Sequence, residues 1–72
     1  MTNIKFNNLE ECKLYVKEKL KETDYVTLDD VKNSISNYDQ FIQYRKRLRY
    51  TLLNPTFYLL IEKPEPIWIS NL

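Results

Sequence analysis

Residues Gln40 to Leu53 read Gln-Phe-Ile-Gln-Tyr-Arg-Lys-Arg-Leu-Arg-Tyr-Thr-Leu-Leu, and no other stretch limits the fold so strongly. Phe41, Leu48 and Leu52 recur at helical spacing, which predicts an amphipathic helix over 40–53. Tyr44 and Ile42 flank that apolar stripe on opposite sides. Gln43, Lys46, Arg47 and Tyr50 fall on the far side, with Arg45 and Arg49 between the two. Four of the eleven positive charges thus occupy five positions: Arg45, Lys46, Arg47 and Arg49. Asn54-Pro55 ends the helix, because a residue before proline avoids helical angles.

The charge is distributed unevenly. Net charge is only +1 over 72 residues, so no global field exists to attract a polyanion. Asp29, Asp30 and Asp39 against Lys32 leave residues 25–44 at −2, while the arginine-lysine run puts +4 into residues 45–50. The basic character belongs to one helix. A chain of this length is expected to form one domain, residues 1–72, burying roughly 60 % of its unfolded surface.

Several chemistries are excluded by what is missing. Histidine and glycine are absent and Cys12 is the only cysteine. No His-based catalytic pair and no zinc site can be assembled, and no Gly-rich phosphate loop can form. Ser34, Ser36 and Ser70 have no His partner, and the carboxylates are scattered over helix surfaces. We therefore expect no enzyme, catalytic residue, metal or cofactor. Cys12 reads as a small core residue. The longest apolar run, Phe57 to Ile61, is too short to span a bilayer. With no signal peptide, the expectation is a cytoplasmic or nucleoid-associated protein without membrane contact. The lack of Gly and Ala beside abundant Lys, Asn, Ile and Tyr fits an AT-rich genome, as of a virus, a plasmid or a low-GC host. For a virus, the location becomes the host cytoplasm.

Before the basic helix, Ile4 and Phe6 alternate in a lead-in that should pack on the core. Asn8 reads as an N-cap with Glu11 at the third position of a capping box. Leu9, Cys12, Val16 and Leu20 then mark a helix over 8–23. Its outer Lys13, Lys17 and Lys21 form either a solvated mixed-charge face or a row reaching a phosphate backbone. Tyr25-Val26-Thr27 suits a short strand. Thr27 suits an N-cap for a helix over 28–36 built on Leu28, Val31 and Ile35. Ser36 to Asp39 is a turn in which Asn37 can take the left-handed conformation, and Asp39 or Asn37 can cap the basic helix. Alternation of Phe57, Leu59 and Ile61, and of Ile67 and Ile69, predicts an antiparallel hairpin over 56–70. Lys63-Pro64-Glu65-Pro66 would be its turn. Leu9, Val16, Leu20, Leu28, Val31, Ile35, Phe41, Leu48, Leu52, Leu59 and Ile69 should be buried.

The residues 27–31 helix start, the 36–39 turn, the basic helix 40–53 and the hairpin 56–70 together resemble the winged helix-turn-helix superfamily. The resemblance covers about residues 8–70. It implies an α+β fold of three helices, a short first strand and a C-terminal β-hairpin wing. It further implies that 40–53 is a recognition helix lying in the major groove of double-stranded DNA. Lys46 and Arg47 would meet guanine edges or phosphates, Gln43 would pair with adenine, and Arg49 and Tyr50 would touch the backbone. Transcription regulation is the role that follows.

Two features point elsewhere. Lys63 lies between Glu62 and Glu65, so the hairpin tip is net acidic and repels phosphate. One hairpin face also carries Tyr58, Leu60 and Trp68, large groups that mark an interface unless residues 1–7 or Asn71-Leu72 fold over them. That interface would make a homodimer or hold a protein partner. The alternative function is thus a winged-helix interaction module, an adaptor in a transcription or replication assembly. Arg45 borders the apolar stripe and reads as structural, with Asp29, Asp30 and Asp39 as its candidate partners. Tyr44 and Tyr38 read as packing groups, with base stacking as the alternative.

Overall fold

Alternation at the N-terminus becomes a strand. The computed structural model describes residues 2–69, Thr2 by its backbone alone. In it β1 (Thr2–Lys5) is followed by α1 (Leu9–Glu22), a 3-10 segment (Asp24–Thr27), α2 (Asp29–Lys32), α3 (Tyr38–Leu53) and β2 (Tyr58–Ile61). The architecture is α+β, with three α-helices and a two-stranded antiparallel sheet of β1 and β2. Ile4 lies opposite Leu59, while Asn3 and Lys5 lie opposite Leu60 and Tyr58. Leu59 and Ile61 turn inward and are buried; Tyr58 and Leu60 turn outward.

The start of α1 follows the capping signal with one shift. Asn8 Oδ1 accepts the Glu11 N–H at 2.8 Å. The Glu11 carboxylate reaches back to the N–H of Asn7, not of Asn8. Cys12 and Val16 are fully buried beneath Tyr44 and Leu48 of α3 and Leu59 and Ile61 of β2. Phe6, Tyr15, Leu20 and Leu52 close the edges of this cluster. A second cluster, Val26, Ile35 and Phe41, is flanked by Val31 and Tyr38.

The expected strand 25–27 is a 3-10 turn. Thr27 Oγ1 donates to the Asp24 carbonyl, so it closes this turn and does not cap the next helix. Burial of Val26 in the second cluster outweighs the β-propensity of its neighbours. Leu28 is the N-cap residue of α2 and provides no side-chain cap. The helix expected over 28–36 is a single turn, 29–32, because the chain straightens at Ile35. Leu9, Leu28 and Ile69, expected in the core, are exposed, and Leu20, Val31 and Leu52 are only half-buried. Leu28 moved outward when it became a cap. The buried set gains Thr23, Val26, Asn37, Tyr44, Arg45, Thr51 and Ile61.

The expected hairpin 56–70 is absent from the described residues. Lys63 and Glu65 each precede a proline, and Pro64 and Pro66 hold φ near −65°. Four successive residues are therefore biased to extended backbone and cannot reverse the chain. Residues 67–69 travel on and pair with 34–36: the Ser36 N–H donates to Ile67 O at 2.8 Å and the Ile69 N–H to Ser34 O at 2.9 Å. Ile35 and Trp68 form the bridge between them. β1 takes one edge of β2, and the other edge pairs with no described strand. Expectations for Ser70, Asn71 and Leu72 lie outside the described residues.

Candidate nucleic-acid and peptide interface

The amphipathic pattern places Phe41, Tyr44, Leu48 and Thr51 of α3 in the interior. What faces outward follows from that. Gln43, Lys46, Arg47, Arg49 and Tyr50 are all exposed. Lys46, Arg47 and Arg49 make no ion pair with a carboxylate among the described residues.

The fourth cation of the run has another task. Arg45 is buried, its Nη1 donating to Leu20 O and Thr23 Oγ1, both at 2.8 Å, and its Nη2 to Asp24 Oδ1 at 2.9 Å. It thereby satisfies a carbonyl at the end of α1, where a positive charge also suits the helix dipole. Thr23 takes part from both sides, since its hydroxyl donates to Lys19 O at 2.8 Å and accepts from Arg45. The partner is Asp24, not the Asp29, Asp30 or Asp39 expected from sequence. The outward charge of the run is thus +3, with Arg45 removed from the four.

Two hollows run along one flank of α3. The larger, about 780 Å³, lies between Gln40, Gln43 and Arg47 on the helix and Leu60 to Glu65 on the strand and its extension. The second, about 420 Å³, lies between Arg47, Tyr50 and Asn54 and residues 56–60. Arg47 and Leu60 line both, so the two form one groove between α3 and β2. Lys46 and Arg49 line neither. Arg47 on the helix side and Glu62, Lys63 and Glu65 on the other side line the larger hollow, which leaves its formal charges balanced.

The proposed apolar patch is exposed but divided. Tyr58 and Leu60 project from the outer face of β2, whereas Trp68 belongs to the segment held against 34–36. They do not share one hairpin face, because no hairpin forms. Trp68 is 54 % exposed.

Asn37 was not singled out as a fastener by the sequence. It keeps ordinary negative φ and caps nothing with its side chain. Its amide donates to Glu65 O at 2.7 Å and accepts the Ile67 N–H at 2.9 Å, mimicking a strand for the passing chain. Only the Pro-interrupted run downstream hinted that this segment needed an external partner.

Tyr44 and Tyr38 pack in or against the core clusters. Tyr44 is buried and its hydroxyl has no hydrogen-bond partner among the described residues. Burial above all, with Tyr15 and Glu22 nearby, pushes its pKa up to about 12. Tyr38 carries Lys32 Nζ 5.3 Å from its ring centre. Lys19 is committed to Glu22 at 2.8 Å, and the hydrogen bond raises the lysine and lowers the carboxylate. Among the described residues no cluster of three or more metal-binding side chains occurs, and no helix is long and apolar enough to cross a membrane. Compared with known protein families, curated proteins and solved structures, the chain matches none.

Proposed function

We propose that this chain is a small protein of winged helix-turn-helix type that binds double-stranded DNA through the outward face of α3, as a regulator of transcription or another DNA transaction. One observation carries the reading: Lys46, Arg47 and Arg49 are exposed on a single helix without carboxylate partners among the described residues, with Gln43 and Tyr50 beside them. A cationic side chain free of intramolecular pairing can replace counterions on phosphate, and this supplies most non-specific affinity. Gln43 and Arg47 have the donor geometry for adenine and guanine edges. The order α2, turn, α3, strand is compatible with such a helix-turn-helix. The test is a gel-retardation assay with random duplex DNA at low salt, repeated with unlabelled competitor. A retarded band removed by competitor is expected, and no band at any protein concentration overturns the reading.

A second reading, an interaction module acting as an adaptor, is favoured by the groove beside β2. Its mixed charges and apolar Leu60 suit a protein segment better than a polyphosphate. Tyr58 and Leu60 on β2, and Trp68 apart from them, would in either reading be contact points through which two copies, or a copy and a partner, associate.

A further inference from the structure

We infer that the open edge of β2 takes up an extended acidic segment of a partner protein as a third strand, with Arg47 holding its carboxylate.

The direction of the backbone groups follows from one bond. The Phe6 N–H donates to Phe57 O at 2.7 Å, which makes 6 and 57 a hydrogen-bonded pair. Hydrogen-bonded and non-bonded pairs alternate along an antiparallel ladder. Residues 57, 59 and 61 therefore direct their N–H and C=O toward β1. Tyr58 and Leu60 direct theirs the other way, to an edge that pairs with no described strand. Unpaired donors and acceptors in a row are a template for another strand.

The groove lies along that edge. It is lined by residues of both faces of β2 and by the Gln43–Arg47–Tyr50 flank of α3, and by none of β1. Four residues of β2 give about 13 Å of edge, enough for a strand of similar length. Leu60 offers an apolar contact to alternate side chains of the incoming strand. Arg47, exposed and without a carboxylate partner among the described residues, lines both hollows and selects an acidic residue near the middle.

Charge decides between occupants. A second copy paired edge to edge about a twofold axis would bring both Arg47 side chains to the same stretch of groove, where like charges repel. A phosphate backbone offers no alternating donors for the Tyr58 and Leu60 carbonyls. The inference goes beyond the DNA reading and does not rest on it, since Lys46 and Arg49 lie outside the groove.

The test is selection from a random twelve-residue display library against the full chain, followed by amide exchange with one synthetic peptide from the enriched set. Enrichment of alternating apolar residues with a central Asp or Glu is expected. Binding should protect the Tyr58 and Leu60 amides. Leu60→Pro, which removes an edge-directed N–H together with the Leu60 side chain, should abolish binding with β1 pairing retained, whereas Leu60→Ala, which keeps the N–H, should only weaken it. Arg47→Glu should weaken binding roughly tenfold, and a peptide with Lys in place of its acid should recover part of the loss. The inference fails if no peptide is enriched, if enriched peptides lack acids, or if those amides stay unprotected on binding. It also fails if they are already protected in the free protein, by its own chain or by a second copy, or if random duplex DNA displaces the peptide from them.

Discussion

Arg45 illustrates how one residue in a charged run can belong to the fold while its neighbours do not. Its side chain is 8 % exposed and reaches three acceptors; the side chain of its partner Asp24 is 64 % exposed. Asp24 is therefore well solvated, and the buried contacts to Leu20 O and Thr23 matter more for stability than the ion pair. Arg45→Ala should cost about 2–3 kcal/mol, most of it from orphaned buried acceptors. The corresponding fall in Tm is roughly 10–20 °C for a domain of this size. Arg45→Lys should recover only part, because an ammonium cannot reproduce the fork. Thermal melts of both variants check this, and wild-type melting of Arg45→Ala would contradict it. Tyr44 makes a second, independent case. Its folded pKa of about 12 lies above the ordinary tyrosine value of 10.0. The folded state therefore holds the proton longer, and the stabilising contribution is complete below the unfolded pKa. It is lost as pH rises through the folded one. Denaturant melts should show wild-type stability falling between about pH 10 and 12. Tyr44→Phe, which removes a hydroxyl without a described partner, should be at least as stable at pH 8 and should lose this part of the decline.

At the scale of elements, what could be read from the sequence was local and what could not was a choice of partner. α1 and α3 follow from their apolar spacing, and α3 stops at Asn54 before Pro55 as the chain chemistry requires. Cys12 and Leu48 are in the core because both lie at the centre of their stripes. The strand β2 was also legible from alternation. Which strand pairs with it was not, since Ile4 and Ile67 both sit in short alternating segments. The prolines at 64 and 66 decided this against the hairpin, and Asn37 supplied the alternative anchor for the chain beyond. Gln43, Lys46, Arg47 and Tyr50 were placed on the outward side of α3 by the same spacing, which left Arg49 between that side and the stripe; it too is exposed. The groove was not legible, because it exists only once the hairpin is absent. Asn37→Ala removes both contacts to 65–67 and should cost about 1–3 kcal/mol. Amide exchange at Ile67 and Ile69 should accelerate while the amides within α3 keep their protection. Unchanged exchange at Ile67 would mean that the Ser34–Ser36 pairing holds the segment without Asn37.

For the whole molecule, the issue is how so small a core coexists with so much exposed apolar surface. Leu53, Phe57, Tyr58 and Ile67 are all more than half exposed, as is Trp68. A contiguous exposed apolar patch can serve as a contact surface. Since Trp68 is the only tryptophan, its emission reports on its own surroundings. If two copies associate through this region, emission should shift to the blue as concentration rises, and Trp68→Ser should shift the mass in light scattering toward monomer. A concentration-independent monomer with unchanging emission would exclude self-association there. The DNA reading stands or falls on α3. The most direct measurement is duplex-DNA affinity as a function of salt, for wild type and for Lys46→Ala, Arg47→Ala and Arg49→Ala combined. Three phosphate contacts give a slope of log affinity against log salt of about −3, and the triple variant should bind far more weakly with a slope near zero. Affinity that is absent at low salt, or equal in the two proteins, would contradict DNA binding through α3.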